Sequence, residues 1–448
     1  MLYRKTEQTI IEHLRSDSKR VLVVTGARQV GKSYIIRHVG NQLFTNVIEI
    51  NLIKDFEGDK LFEKVNTTDD FYFTLGLIAG NRLGNVDNTL IFLDEIQQYP
   101  HLLTMLKFLK QENRYEYIVS GSLLGVTLKQ STSIPIGSIR ILRMYPLDFE
   151  EFLIANNISS TTIANMRASF EANQSLPEAI HNKILSIFKR YLLVGGMPDA
   201  VNAYLETRNI VKVREIHRDI KDLYAADASQ YDMKHKLKIS RIYNLVPSNL
   251  ENKKKRLVFK DIDGKSGKRA ADYEDEIDYL ISSGITLGVK AISNPVFPLQ
   301  ESEYKNLVKL YFNDVGILAA TLYSSNVTGI LNDEANINLG SIYECLVAME
   351  LIAADNILFY YDNRTRGEVD FLINDYNDQS VIPIEVKSGK DYKRHSALTR
   401  FISNPDYNIK RGFVLSNNRI VETINGITYI PIYYTMFLCN RHNEKILI

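Results

Sequence analysis

The sequence predicts an α/β protein whose first third is a parallel sheet covered by helices, followed by a mostly helical region and a second α/β domain. Three observations predict it. Five short apolar runs between residues 20 and 145 alternate with helix-length amphipathic stretches, the pattern of a parallel sheet buried on both faces. A glycine-bearing loop joins the first run to a helix. From about residue 340 a helix precedes a series of short strands.

The runs are Arg20-Val-Leu-Val-Val-Thr25, Asn46-Val-Ile-Glu-Ile-Asn51, Thr89-Leu-Ile-Phe-Leu-Asp94, Tyr115-Glu-Tyr-Ile-Val-Ser120 and residues 139–144. Residues 148–230 read as mostly helical, interrupted by Gly195-Gly196-Met197-Pro198. Residues 238–300 read as helix, basic connection, second helix (about 270–283) and a Gly- and Pro-punctuated β-like stretch, an order that suits a winged helix-turn-helix. The chain has 448 residues, and at roughly 150 residues per domain that is about three domains.

Composition narrows the function classes. Lys plus Arg is 54 and Asp plus Glu is 53, a net charge of +1, which excludes a uniformly basic nucleic-acid coat and an acidic tail protein. Any basic surface must be local. Two cysteines, Cys345 and Cys439, make neither a disulfide framework nor a four-ligand zinc site, so a reducing compartment is expected. The N-terminal stretch reads as an amphipathic helix and not as a signal peptide. The longest apolar stretch, residues 429–439, is far short of the roughly 20 residues that span a bilayer. A soluble, cytoplasmic protein with no membrane contact is the expectation.

Gly26-Ala27-Arg28-Gln29-Val30-Gly31-Lys32-Ser33 follows the first strand and opens a helix over 34–39. This is a P-loop in its strand–loop–helix context. Its glycines let backbone N–H groups close around phosphates, and the helix N-terminus adds a positive dipole end. Lys32 is placed to reach the β- and γ-phosphates of ATP, and Ser33 to hold Mg²⁺. The third run ends in Asp94-Glu95: the aspartate serves the metal's water shell and the glutamate polarises an attacking water. The fourth run ends Ser120-Gly121-Ser122, where Ser122 is either a γ-phosphate sensor or part of a plain strand-end turn. Arg140 and Arg143 near the fifth strand read as surface residues or as an arginine finger for a neighbouring copy in a homo-oligomer.

Gly367-Glu368-Val369-Asp370-Phe-Leu-Ile373 and Val381-Ile-Pro-Ile-Glu385-Val386-Lys387 flank a turn-rich stretch and predict a β-hairpin. A turn centred between Asn377 and Asp378 sets Asp370 opposite Glu385 and Glu368 opposite Lys387, all on one face. Opposed carboxylates repel unless a cation sits between them, and oxygen ligands favour Mg²⁺ or Mn²⁺. Glu344, on the apolar stripe of a helix over 341–354, is the candidate third ligand. Lys387 would orient or help deprotonate a water for attack on a phosphodiester. The structural alternative is a Glu368–Lys387 ion pair beside solvated acids on an edge strand, which Pro383 would suit. The segment from Lys253 to Arg269 holds eight Lys/Arg against two Asp; it reads as a phosphate-neutralising DNA contact or as a solvated loop.

In order along the chain, the P-loop, Asp94-Glu95-Ile96-Gln97, Tyr145-Pro-Leu-Asp-Phe-Glu-Glu-Phe152, Gly195-Gly-Met-Pro198, Leu307-Val-Lys-Leu-Tyr-Phe-Asn-Asp-Val-Gly316 and Glu368-Val-Asp370…Glu385-Val-Lys387 resemble the prokaryotic AAA-type ATPases with a C-terminal domain related to PD-(D/E)XK nucleases. The resemblance implies an AAA+-like P-loop ATPase core (residues 1–147), a helical lid (148–235), a winged-helix-like segment (236–305) and a restriction-endonuclease-like α/β domain (306–448). It places Asp370, Glu385 and Lys387 in the nuclease motif, with Val369 where that motif often has proline. The expected function is ATP binding and hydrolysis coupled to a DNA-binding, metal-dependent DNA-cleaving C-terminal half. The alternative is an ATP-operated switch or scaffold whose nuclease-like fold is catalytically silent and binds a partner.

Overall fold

The computed structural model describes residues 1–83, 88–122, 137–230, 236–264, 267–323, 327–332, 339–389 and 391–438. Cys439 and Lys265 of the basic run lie outside the described residues. The chain forms two compact units: residues 3–145 with 282–284, and the remainder.

The first unit contains α1 (Lys5–Arg15), β1 (Val21–Thr25), α2 (Lys32–Leu43), β2 (Asn46–Asn51), α3 (Leu52–Glu57), α4 (Thr68–Ala79), β3 (Thr89–Asp94), α5 (His101–Glu112), β4 (Glu116–Gly121) and β5 (Ile139–Arg143). All five strands run parallel in the order β2-β3-β4-β1-β5. Val21, Val23, Ile48, Ile50, Ile91, Leu93, Tyr117 and Val119 pack with Phe71, Leu75, Leu102 and Leu106 of α4 and α5. Their strand neighbours Leu22, Val24, Leu90 and Phe92 are equally buried. Burial of both faces is why the sequence shows continuous apolar runs rather than alternation. Because β4 lies between β1 and β3, the P-loop and Asp94-Glu95 end two strands separated by one neighbour.

The second unit begins with helices α6 (Phe149–Ala155), α7 (Ser160–Glu171), α8 (Glu178–Val194), α9 (Pro198–Thr207), α10 (Ile210–Gln230), α11 (Lys236–Glu251) and α12 (Glu274–Ser282). The 145–152 motif contains the start of α6: Asp148 and Glu151 form a reciprocal capping box, and Glu350 accepts the N–H of Phe149 at 2.8 Å. Then come β6 (Thr286–Ile292), β7 (Glu303–Phe312), α13 (Val315–Leu322), α14 (Gly340–Ala353), β8 (Phe359–Asn363), β9 (Gly367–Asp375), β10 (Ser380–Val386), α15 (Ser396–Ile402), β11 (Gly412–Ser416), β12 (Glu422–Ile424) and β13 (Ile427–Pro431).

These strands form one eight-stranded sheet in the order β12-β13-β11-β10-β9-β8-β6-β7. β7 spans the 305/306 boundary, and β6 pairs in parallel with β8 through Lys290 and Phe359. The β-like stretch at the end of the expected winged-helix segment contains β6, which pairs with β7 at the edge of this sheet and with β8 on its other side. The expected β9–β10 hairpin is present with the register set by its turn, Ser380 opposite Asp375 through Ile384 opposite Phe371. β10 is nevertheless internal, paired on its other side with β11 from Ile384 onward, so the edge-strand alternative fails. Pro383 is accommodated because its missing N–H falls before that second ladder begins. Among the described residues no helix is long and apolar enough to cross a membrane.

Candidate functional site

The P-loop is built on left-handed backbone. Gly26, Gln29 and Gly31 have φ of 147°, 62° and 95°, and a Cβ on Gly26 would lie 2.1 Å from the Met144 carbonyl oxygen. Glycine is required there. Arg4 braces the loop, donating to the carbonyls of Val30 at 2.9 Å and Tyr145 at 2.6 Å. Ala27 and Val30 are buried. Lys32, at the first position of α2, turns its ammonium back onto the loop, donating to the Gly26 and Ala27 carbonyls at 2.9 and 2.8 Å. Burial pulls its pKa down to about 8 despite Glu95 and Asp94 nearby, with Arg28 pushing the same way as burial.

The strand ends converge on this loop. Ser33 Oγ donates to both Asp94 carboxylate oxygens, at 3.1 and 3.0 Å, and Ser120 Oγ donates to Asp94 Oδ1. Burial, then the charge of Glu95, holds Asp94 above the ordinary carboxyl range. Glu95 sits at φ 60°, a strained conformation for a non-glycine residue. Gln97 Nε2 and Ser122 Oγ both donate to its Oε2, the latter at 3.0 Å. Burial raises the Glu95 pKa, but Gln97, Lys32 and Ser122 outweigh it and hold the carboxyl below its usual value. The hydroxyl of Ser33 and the carboxylate of Asp94 are hard-oxygen donors of the kind Mg²⁺ takes beside a nucleotide; they would hold the ion, which would supply charge neutralisation on phosphate oxygens.

The residues named from the sequence for a nucleotide site thus lie together at the carboxyl ends of β1, β3 and β4. Arg140 and Arg143 are exposed on β5, the edge strand. Sequence reasoning missed Arg4 and Gln97; the only signal for Gln97 was its place in the Asp94–Gln97 motif.

The C-terminal cluster is built differently from the expectation. Asp370 of β9 accepts the Val386 N–H at 2.8 Å. Glu385 of β10 accepts from Lys387 Nζ at 2.6 Å. The Glu368–Lys387 ion pair of the structural alternative is not formed: Glu368 is paired with Lys309 of β7, a fully buried lysine. Beyond Val386 the chain follows β11, Lys387 N–H donating to Leu415 O at 2.9 Å, which carries Lys387 away from Glu368. Glu344 of α14 is buried as expected, but Lys255 Nζ pairs with its Oε1 and Tyr311 Oη donates to its Oε2 at 3.0 Å.

Four carboxylates, Glu344, Glu368, Asp370 and Glu385, therefore face three lysines, Lys255, Lys309 and Lys387. Burial, then Glu385 and Glu344, pushes Asp370 well above the ordinary carboxyl range against the pull of Lys309 and Lys255. Burial also raises Glu385, opposed by Lys387. For Glu344 burial is outweighed by Lys255 and Lys309, which hold it low. The expected three-ligand metal set of Glu344, Asp370 and Glu385 is not assembled: among the described residues no three His, Cys, Asp or Glu side chains are grouped to hold an ion. A site for Mg²⁺ or Mn²⁺ does not fit these residues as they stand, because lysines supply the compensating charge.

Part of the basic run pairs with acids of its own chain near the surface. Lys254 and Arg256 lie 3.6 and 3.5 Å from Asp362, and Lys268 lies 3.0 Å from Asp272.

Residues 18–153 match a family model described as an AAA domain. Residues 185–328 and 339–435 match two models described as domains of unknown function, DUF8612 and DUF4143. The first stretch is an AAA-type, P-loop ATPase domain. No curated protein matches the chain. Among solved structures, the chain is similar to the Walker-type ATPase PABY2304 of Pyrococcus abyssi, at 14% identity and a TM-score of 0.42, over 74% of this chain and 96% of that one. It is also similar to Cdc6p from Pyrobaculum aerophilum, at 13% identity and a TM-score of 0.25, over 73% and 93%.

Proposed function

We propose that the protein is an ATP-hydrolysing switch: Lys32 binds the phosphates, Ser33 and Asp94 carry Mg²⁺, Glu95 polarises the attacking water, and the nucleotide state controls partner binding by the C-terminal unit. The observation that carries the ATPase part is the pairing of Ser33 with Asp94 beside a Glu95 clamped by Gln97 and Ser122. A metal-site hydroxyl, its carboxylate and a separately oriented base are the parts phosphoryl transfer to water needs. The C-terminal reading favoured is the non-cleaving one, because each carboxylate of the nuclease-like cluster already has an internal donor, and Lys254 and Arg256 of the basic run both lie beside Asp362.

Metal-dependent DNA cleavage is the second reading, and one observation favours it: Glu385 Oε2 is buried with no hydrogen-bond partner among the described residues. One experiment separates the two. Phosphate release and the cleavage of plasmid and linear DNA are measured with Mg²⁺ or Mn²⁺, with and without ATP, for wild type, Lys32→Ala and Lys387→Ala. ATP turnover lost in Lys32→Ala, with DNA intact in every lane, is the result expected. Cleavage by wild type that disappears in Lys387→Ala establishes the nuclease instead, and turnover unaffected in Lys32→Ala removes the ATPase assignment. DNA as the partner is tested in the same samples by binding titrations at two salt concentrations, since phosphate contacts give a steep salt dependence.

A further inference from the structure

One residue of the basic connection, Lys255, reaches the carboxylate cluster of the C-terminal sheet. Lys255 stands in a left-handed turn at φ 48°, an uncommon conformation for a non-glycine residue. Its ammonium is paired with Glu344 Oε1. The side chain of Lys255 keeps 20% of its exposure whereas Glu344 keeps 4%, so the lysine reaches in from the solvent side to an acid that water scarcely touches. Its neighbours on either side, Lys254 and Arg256, both lie beside Asp362 of β8 and fasten the turn to the sheet. Behind Glu344, Tyr311 and the buried Lys309 close the cluster from β7. Asp370 and Glu385 stand next to this group, and Glu385 Oε2 has no hydrogen-bond partner among the described residues.

We propose that Lys255 is a built-in cation that takes the place of a divalent metal among Glu344, Asp370 and Glu385, so that the cluster binds metal only when Lys255 is withdrawn. The chemistry is that of charge compensation. A buried group of acids needs positive charge close by, and an ammonium on a flexible stem provides it without dehydrating a small, strongly hydrated ion. Withdrawing the lysine would take the Lys255 partner from Glu344 Oε1, while Glu385 Oε2 has no hydrogen-bond partner among the described residues even with the lysine in place; both are hard-oxygen atoms of the kind a divalent ion takes. This inference goes beyond the ATP-switch reading and does not depend on ATP turnover.

The test uses the full chain without nucleotide and Mn²⁺ as the probe, with free Mn²⁺ followed by electron paramagnetic resonance. Wild type should bind no Mn²⁺ that depends on Asp370. Lys255→Met keeps the apolar stem and removes the charge; it should bind one Mn²⁺ at least about tenfold more tightly, since a like charge in contact with the site is gone. That binding should vanish in Lys255→Met/Asp370→Asn, and Lys255→Arg should stay metal-free. Mn²⁺ bound by wild type and lost in Asp370→Asn would overturn the proposal, as would a folded Lys255→Met that gains no site. Should the methionine variant fail to fold, Lys255→Gln is read in the same way. Phosphate release from ATP, measured alongside, reports separately on the ATPase reading.

Discussion

Asp314 Oδ2 accepts the N–H of Gly196 at 2.6 Å, joining two segments 118 residues apart in sequence. Asp314 also caps α13 by accepting the Ile317 N–H at 3.0 Å. Gly196 O in turn accepts the Leu147 N–H at 2.7 Å. The Gly195-Gly196 turn and the 307–316 motif are therefore two halves of one buried junction.

The junction has no room for a side chain. A Cβ on Gly196 would lie 2.1 Å from Leu147 O and 2.7 Å from Leu147 N, backbone atoms that cannot swing aside. Gly196→Ala should lower stability by roughly 1–3 kcal/mol or more. Calorimetry checks it: a melting temperature within one degree of wild type would contradict this account.

Asp314 also makes a pH prediction. Burial raises its carboxyl to about 6 against the donors from Gly196 and Ile317, from an ordinary 3.8. Between those values the folded chain holds a proton that the unfolded chain releases, so this group's contribution is full below pH 3.8 and falls by about 3 kcal/mol as pH passes 6. His217 works the other way. Burial lowers it to about 4, so its contribution rises from pH 4 to 6.5 and masks the fall in wild type. Asp314→Asn removes the falling part. The melting-temperature deficit of that variant should be larger at pH 4.5 than at pH 7, and a pH-independent deficit would show that Asp314 is not perturbed.

Lys32, pulled down to about 8 by burial, is mostly neutral at pH 9 without ligand. Polyphosphate charge beside it would restore the ammonium. ATP binding at pH 9 should then take up close to one proton, and markedly less at pH 7. Calorimetric titration in buffers of different ionisation enthalpy reads this directly; equal uptake at both pH values would exclude the assignment.

The Glu95 clamp separates chemistry from binding. Glu95→Gln should keep ATP affinity and lose about 10²- to 10⁴-fold in kcat. Gln97→Leu removes a charged hydrogen bond worth about 1.5–3 kcal/mol, so it should lose about 10- to 100-fold in kcat with KM little changed. A KM effect without a kcat effect in Gln97→Leu would mean that Gln97 does not orient the base.

The parallel sheet, the P-loop with Asp94-Glu95, and the β9–β10 register were legible in the chain because each rests on local physics. Strands buried on both faces must read as unbroken apolar runs. A phosphate loop needs left-handed glycines at fixed spacing, and a hairpin's register follows from its turn. The partners of the carboxylates had no such signature. Lys309 reaches Glu368 across 59 residues and Lys255 reaches Glu344 across 89. Lys309 and Glu368 lie on β7 and β9 of the one sheet, whereas Lys255 and Glu344 lie on a connection and a helix. Sequence periodicity records the face a residue occupies, but an ion pair depends on which distant segments the fold brings together, and only the tertiary structure determines that.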